Sequence, residues 1–340
     1  MGSPARITHA VRTCARWVGM RGWLRFGVRD RLARLVHNPD TAESESFEVP
    51  FFGMTYRGDY SSFIDWSVFY FGAYAKPELD LLGRLLEVRP GPCLDIGANV
   101  GHHTLFLATR SPSVIAFEPA ASLAAQIRTH LQDNGLENVD VVECGLGARR
   151  EDLPFFASTD HNQGTGTFVP GVYPRESTTI QVAPGDELLA ARGDPLIVLA
   201  KVDVEGFERE VLRGLGRTIE RSRPLVFFEW SHLTARRGGS EEPSELFPSD
   251  YSLYRFQPEV HRLGVFATGQ FAIQPWRRGS VIDGNLLAVP SEDVSRIEAI
   301  AMTGKARLAR SCAIQAASIR PDPQSGPESR SDGSGSFQRL

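Results

Sequence analysis

Between residues 92 and 230, short apolar runs alternate with segments of helical period. Residues 93–96, 114–117, 139–143, 196–202 and 225–230 are apolar enough to be strands covered on both faces. Between them the pattern predicts helices starting near Val100 and running through 104–109, then over 122–134, 186–191 and 207–215. Asn134-Gly135 is a good stop signal for the second of these. Strand–helix repetition of this kind predicts an α/β domain whose parallel sheet carries helices on both faces. Two later strands are expected at 251–256 and 285–289.

The flanks read differently. Residues 1–40 form a basic leader in which eight arginines face only Asp30 and Asp40, with Trp17, Trp23, Leu32 and Leu35 interleaved. One or two amphipathic helices are expected there. They either make peripheral contact with an anionic membrane surface or pack on the main domain with their arginines outward. The arginines interrupt any apolar core of a cleaved secretory signal. Residues 41–90 are expected to be an aromatic-rich cap of short strands or irregular chain over 49–75, then a helix opened by Pro77 with Leu79, Leu82 and Leu86 on its apolar face. Residues 91–302 are the main domain. Within it, 147–178 is a polar, Gly- and Pro-rich excursion, and Gly164, Thr165, Gly166 and Thr167 suggest a flexible lid. Residues 303–340 lose all pattern and are expected to be disordered.

Composition narrows the class. The chain has 340 residues, is 41% hydrophobic and carries a formal net charge of −4. That excludes a disordered chain, a fibre and a small disulfide scaffold. The acidic balance argues against nucleic acid as the main partner. Cys14, Cys93, Cys144 and Cys312 lie far apart with no C-x-x-C, which fits neither a zinc site nor a disulfide framework and suits a reducing, cytoplasmic setting. No apolar run reaches the ~18 residues of a spanning helix. Lysine occurs only at 76, 201 and 305, which makes Lys201 conspicuous.

The most informative segment runs from Cys93 to Gly101, C-L-D-I-G-A-N-V-G. A buried strand carries Asp95, and Gly97 and Gly101 allow a tight turn and close backbone approach to a ligand. Asn99 stands where another glycine would be convenient, and Asn tolerates the left-handed region better than most residues. The helix that follows offers free N–H groups to a ligand carboxylate or phosphate. Glu118 ends the next strand 17 residues beyond Gly101, where an acid grips a ribose diol. The spacing D-x-G-x-x-x-G lacks the third glycine of a dinucleotide fingerprint, so S-adenosylmethionine fits better than a nicotinamide cofactor.

These residues carry a resemblance. D-I-G-A-N-V-G-H-H-T-L-F, I-A-F-E-P, K-V-D-V-E-G-F-E-R-E-V-L-R-G and R-P-L-V-F-F-E resemble the FkbM-type family of S-adenosylmethionine-dependent methyltransferases, over roughly residues 82–230 and more loosely 285–290. The resemblance implies a class I methyltransferase (Rossmann-like) fold, with a mostly parallel seven-stranded sheet ending in an antiparallel hairpin. It implies methyl transfer to oxygen, a hydroxyl of a sugar, glycan, polyketide or related metabolite. Carried over residue by residue, it places Asp95, Gly97, Ala98, Asn99 and Gly101 in the cofactor loop, His102 and Thr104 in its extension, and Glu118 on the ribose. Asp186 follows Pro-Gly where the family has Thr-Leu, so its match is looser.

The strand at 196–202 delivers Lys201, Asp203 and Glu205 to its carboxyl end, where parallel α/β sheets bind ligands. Strand alternation puts the three on one side. Glu229 ends the next strand, with His232 three residues on. Lys201, Asp203, Glu205, Glu229 and His232 are therefore the candidate catalytic group, with His232 the better general base near neutral pH. Lys201 with a carboxylate also reads as a structural ion pair, and Asp203, Glu205 and Glu229 as oxygen ligands of a divalent cation, although no metal site is predicted. His102 and His103, adjacent in sequence, are expected to diverge, and Glu208 and Glu210 to lie on a solvated helix face. Phe51, Tyr56, Tyr60 and Trp66 read either as ordinary core packing or as a surface that stacks on a sugar or aglycone acceptor, with core packing the favoured of the two. The alternatives are a non-catalytic binding module of the same fold and a nicotinamide-dependent oxidoreductase.

Overall fold

A computed structural model describes residues 4–157, 166–168, 178–231, 233–234, 242–258, 270–280 and 283–303. The leader forms two helices, α1 (Pro4–Gly19) and α2 (Phe26–Val36), which pack on each other. A hairpin follows, β1 (Ser46–Phe51) and β2 (Met54–Asp59), and then α3 (Phe63–Phe71) and α4 (Lys76–Val88). The strand–helix series is β3 (Cys93–Ile96), α5 (His102–Ala108), β4 (Val114–Phe117), α6 (Ala121–Asp133) and β5 (Val139–Val142). The excursion holds β7 (Glu151–Ala157) and β8 (Gly166–Thr167) and is flanked by β6 (Gly145–Leu146) and β9 (Thr178–Ala183). After it come α7 (Gly185–Ala190), β10 (Leu199–Val202), α8 (Glu208–Gly214), α9 (Gly216–Ser222), β11 (Leu225–Trp230), β12 (Tyr251–Gln257), β13 (Ala272–Pro275) and β14 (Gly284–Pro290).

Among the described residues the main sheet has eight strands in the order β13-β12-β14-β11-β10-β3-β4-β5. The five from β11 to β5 are parallel to their neighbours, and β14, β12 and β13 pair antiparallel. The architecture is the expected α/β one with an extra strand. Ala-Ile-Gln-Pro at 272–275 is too short and too polar to stand out as a strand, and it pairs only at the sheet edge. Every residue of β3, β4 and β10 is buried, because helices cover both faces of the sheet. The order reverses between β3 and β10, so their carboxyl ends border the crevice in which such sheets bind ligands. The excursion and its flanking strands fold into a separate four-stranded sheet, β6-β9-β7-β8.

The aromatic cap is the main departure. A helix, α3, stands at 63–71 in a stretch expected to be strand or irregular. Ser62 caps it by accepting from the Asp65 N–H, and Gly72 ends it in the left-handed region. Its residues 65–71 are all buried, so no polar face shows a helical period. Phe51, Tyr56, Tyr60 and Trp66 lie in the core rather than in a pocket. The Tyr56 hydroxyl donates to Asp65 at 2.6 Å and the Trp66 indole donates to the His37 carbonyl at 2.9 Å. All four belong to the core cluster that also takes in Cys93, Val114 and Leu199 of the sheet, as the core-packing reading expects. α4 buries Leu79, Leu82 and Leu86 as expected.

The leader packs on this cap. Arg12 pairs with Glu45 at 2.9 Å, and Arg16 donates to the Phe69 carbonyl. Gly19 sits so close to α3 that a Cβ there would lie 2.3 Å from the Tyr70 oxygen. Among the described residues no helix is long and apolar enough to cross a membrane. The tail from residue 304 on, Gly164, Thr165 and His232 lie outside the described residues.

Candidate active site

The glycine turn closes over the end of β3. Gly97, Asn99 and Gly101 have φ of 78°, 55° and 85°. A Cβ on Gly97 would lie 1.9 Å from the Asp203 carbonyl oxygen, and one on Gly101 would lie 2.7 Å from Ile127. The turn is therefore held tightly against the end of β10 and against α6. The Gly97 and Ala98 N–H groups donate to the Phe117 carbonyl at 3.0 and 3.1 Å, which ties the turn to β4. At the end of β4, the Glu118 carboxylate accepts from the Asn99 N–H at 2.8 Å and the Ala120 N–H at 2.9 Å. Burial raises its pKa, and the two backbone donors counter that rise. The acid read from the sequence as a ribose ligand braces the loop in this structure.

Asp95 and Lys201 are register partners on adjacent parallel strands, so their side chains share a face. Asp95 is fully buried and Lys201 is 3% exposed. The Lys201 ammonium lies 3.4 Å from Asp95 and 3.6 Å from Asp203, and it donates to the Gly97 carbonyl at 3.2 Å. The Thr104 hydroxyl donates to the other Asp95 oxygen at 2.6 Å. Burial disfavours the charged lysine, but Asp95, Asp203 and Glu78 outweigh it, so Lys201 stays protonated. Asp95, Lys201 and Thr104 hold the loop from beneath.

Lys201 and Asp203 do share a side, as strand alternation requires. The extended run stops at Val202, however, and Glu205 sits in a left-handed turn at φ 51°. The Thr167 hydroxyl donates to the Glu205 carbonyl at 2.5 Å. Gly166 and Thr167 form β8, within the segment read from the sequence as a flexible loop, and Gly164 and Thr165 lie outside the described residues.

An acidic group gathers on the same face of the sheet. Glu229 stands directly opposite Asn285 in the β11–β14 pair. The Asn285 amide donates to Glu78, from the first turn of α4, at 2.9 Å. Glu78 lies 3.8 Å from His103 Nε2, a buried nitrogen with no hydrogen bond. Burial and then the charge of Asp203 push Glu78 up to about 8 and Glu205 to about 7. Burial, Asp203, Glu208 and Glu205 push Glu229 to about 9. Tyr74 feels the same acids, its phenol raised by burial and by Asp203, Glu78, Glu205 and Glu229.

These carboxyls bind protons more tightly in the folded chain than in the unfolded one. Their stabilising contribution is complete below the unfolded value and is lost as pH rises through about 7 to 9. The ligand-free protein should have a lower urea midpoint at pH 9 than at pH 6, and Glu229→Gln should flatten that slope. An unchanged slope in the variant would remove Glu229 from the group.

Other expectations are corrected here. Glu208 is fully buried rather than solvated; it accepts from Val204, Gly206 and Thr234 and is pushed up to about 6, chiefly by burial. Its i+4 contact back across the turn and its link to Thr234 leave no trace in a helical pattern. His102 and His103 do not diverge: both are buried, with ring centroids 4.0 Å apart. The short α5 begins at His102, so the two residues straddle its first turn under the cap. Burial and Lys201 push His102 down to about 3, keeping its ring neutral. Asp186 accepts from the Arg217 and Thr218 N–H groups and so caps the start of α9. Glu78, His103 and Asn285 join the site without having been expected there, and Tyr74 joins it from the aromatic segment 49–75; Glu78 reads in sequence only as an acid in the first turn of a helix. Among the described residues no group of three His, Cys, Asp or Glu side chains is placed to hold a metal ion.

A reversal of strand order, a left-handed glycine loop and an acid at the neighbouring strand end define a doubly wound α/β domain built to bind a ligand at its topological switch point. Residues 95–259 match the family model described as the methyltransferase FkbM domain. It is 32% identical over 147 residues to the hexuronic acid methyltransferase AglP of Haloferax volcanii, covering 43% of this chain and 59% of that protein. It is 27% identical to Methyltransferase 1 of Beauveria bassiana, covering 43% of this chain and 72% of that one. The crystal structure of methyltransferase FkbM from Methylobacillus flagellatus is 19% identical, with a TM-score of 0.35, covering 58% of this chain and 43% of that one. The chain thus spans about three fifths of the length of AglP.

Proposed function

We propose that this protein is an S-adenosylmethionine-dependent O-methyltransferase acting on a hydroxyl of a sugar, glycan, polyketide or related metabolite. The observation that supports this most directly is the contact between the Gly97 turn and the Asp203 carbonyl, which sets the cofactor loop against the acidic strand ends. The residues present suit the cofactor. The turn leaves no room for side chains at Gly97 and Gly101, and Glu118 offers a carboxylate at the end of β4. The Ala98–Asn99 turn and Glu118 would hold it, with Asp95, Thr104 and Lys201 keeping the turn in place. When bound, S-adenosylmethionine supplies a methyl group on a sulfonium, which an oxygen nucleophile can take.

The chain's own part is to orient a hydroxyl and receive its proton. Asp203, Glu205, Glu229 and Glu78 are acceptors for hydroxyl protons, and Asn285 holds Glu78 in place. A carboxylate whose pKa is raised is a stronger base once ionised, and Glu229 carries the largest rise of the group. Four carboxyl groups around one buried lysine favour an acceptor that presents neutral hydroxyls there over one that presents a carboxylate. AglP is named for a hexuronic acid, so neutral hexosides and uronates are the pair to compare. Glu229→Gln should cut kcat by about 10²–10⁴ and abolish the rise of rate with pH, while binding of S-adenosylhomocysteine changes little. A rate within a few-fold of wild type would assign the proton to another group.

A further inference from the structure

The α1–α2 hairpin buries one side and leaves another that folding does not explain. Its inner face is occupied: Ala15 and Ala33 join the core, and Arg12, Arg16 and Arg29 are held by Glu45, Phe69 and Gly19. Seven of the eight strongly exposed large apolar side chains among the described residues fall between residues 11 and 36. The eighth is Leu196, elsewhere in the fold. Trp17 is 63% exposed and Leu35 is 83% exposed, with Trp23 and Phe26 projecting from the connecting turn and the start of α2. Val11, Cys14, Trp17 and Arg21 follow one another at three- and four-residue steps, and all are exposed. On α2 the exposed run is Arg31, Leu32 and Leu35.

Charge says what covers this side. Residues 1–40 hold eight arginines and two aspartates. Asp30 and Asp40 are both engaged by Arg34, so no described acid of the leader is left to oppose a negative surface. The other 300 residues carry 29 cationic and 39 acidic side chains, so positive charge is concentrated at this end of an acidic chain. The Arg21 guanidinium stacks over the Trp17 ring at 3.9 Å. Indole beside guanidinium, with leucines between, matches the headgroup layer of a bilayer, where tryptophan sits at the interface and arginine meets phosphate. Two basic helices that lie flat gain both from apolar burial and from attraction to anionic lipid.

We propose that α1, the turn at 20–25 and α2 dock this protein on the surface of an anionic phospholipid bilayer. The inference stands apart from the methyl-transfer reading, because none of its residues belongs to the site. The test is flotation of the full chain with vesicles of phosphatidylcholine alone or mixed equally with phosphatidylglycerol. The chain should float with the mixed vesicles, and less so as salt is raised, since screening weakens exposed charge. Trp17→Ser/Trp23→Ser/Leu35→Ser should weaken binding at least about tenfold, and Arg21→Glu/Arg31→Glu should remove the dependence on phosphatidylglycerol. Both variants alter exposed side chains and should unfold at the wild-type temperature. Failure to float, equal flotation with phosphatidylcholine alone, or unchanged binding by both variants would overturn the proposal. So would a wild-type dimer that the apolar variant dissociates without any change in flotation, because the face would then belong to a second copy.

Discussion

Lys201→Met should lower the free energy of unfolding by about 3–5 kcal/mol, the usual cost of removing one partner from a buried ion pair. The reason is the pairing beneath the loop. Asp95 is fully buried, and Lys201 is the cation beside it at 3.4 Å. Methionine fills much of the same volume, so the loss reports an uncompensated charge rather than a cavity. Asp95 would keep the Thr104 hydrogen bond, which satisfies one oxygen and leaves the other facing an apolar side chain. Lys201→Met with Asp95→Asn should recover part of the loss, because the buried charge then goes with its partner. Urea unfolding followed by far-ultraviolet circular dichroism reads both variants. A loss under about 1 kcal/mol, the range of a surface pair, would mean that solvent screens Lys201 and that it does not tether β3 to β10.

Glu118→Ala should weaken S-adenosylhomocysteine at least about a hundredfold in calorimetric titration, since two hydrogen bonds to a charged group contribute about 1.5–3 kcal/mol each. The same change frees the Asn99 and Ala120 N–H groups, so the loop loses its brace together with the proposed ribose ligand. Glu118→Gln is the sharper variant. Both carboxylate oxygens already accept a backbone N–H, so a glutamine must turn its NH₂ toward one of those donors. Its affinity should therefore fall nearly as far as that of alanine. Asp95→Ala should also lose binding, through the loop that Asp95 supports from below. Wild-type binding in Glu118→Ala would remove Glu118 as the ribose ligand, and no binding of S-adenosylhomocysteine to folded wild type would remove the methyltransferase reading itself. Titration with NAD in the same cell tests the nicotinamide alternative, for which no binding is expected.

Most of the central domain was legible because its signals are local. β3, β4, β10 and β11 are apolar runs covered on both faces, and such burial leaves a mark in every residue of the run. The left-handed turns at Gly97, Asn99 and Gly101 were legible because backbone sterics restrict which residues adopt positive φ. Glu118 was legible because its place follows from the turn by a nearly constant spacing. α3 was not, because a helix buried nearly all round has no period to read. The excursion was read only as polar chain, since β6 and β8 have two residues each and pair across long separations.

The sequence by itself therefore determined the α/β series, the glycine loop after β3 and the acids at the ends of β4, β10 and β11, which depend on composition and conformation within a few residues. Only the tertiary structure decided what those groups face. It brought Glu78 from α4 and Asn285 from β14 within 2.9 Å of each other across 207 positions of chain. It buried Glu208 and placed His102 against His103, and it drew Phe51, Tyr56, Tyr60 and Trp66 into the core. Those outcomes turn on which elements pack together, and the energy of such packing is shared among residues far apart in the chain, where no local pattern records it.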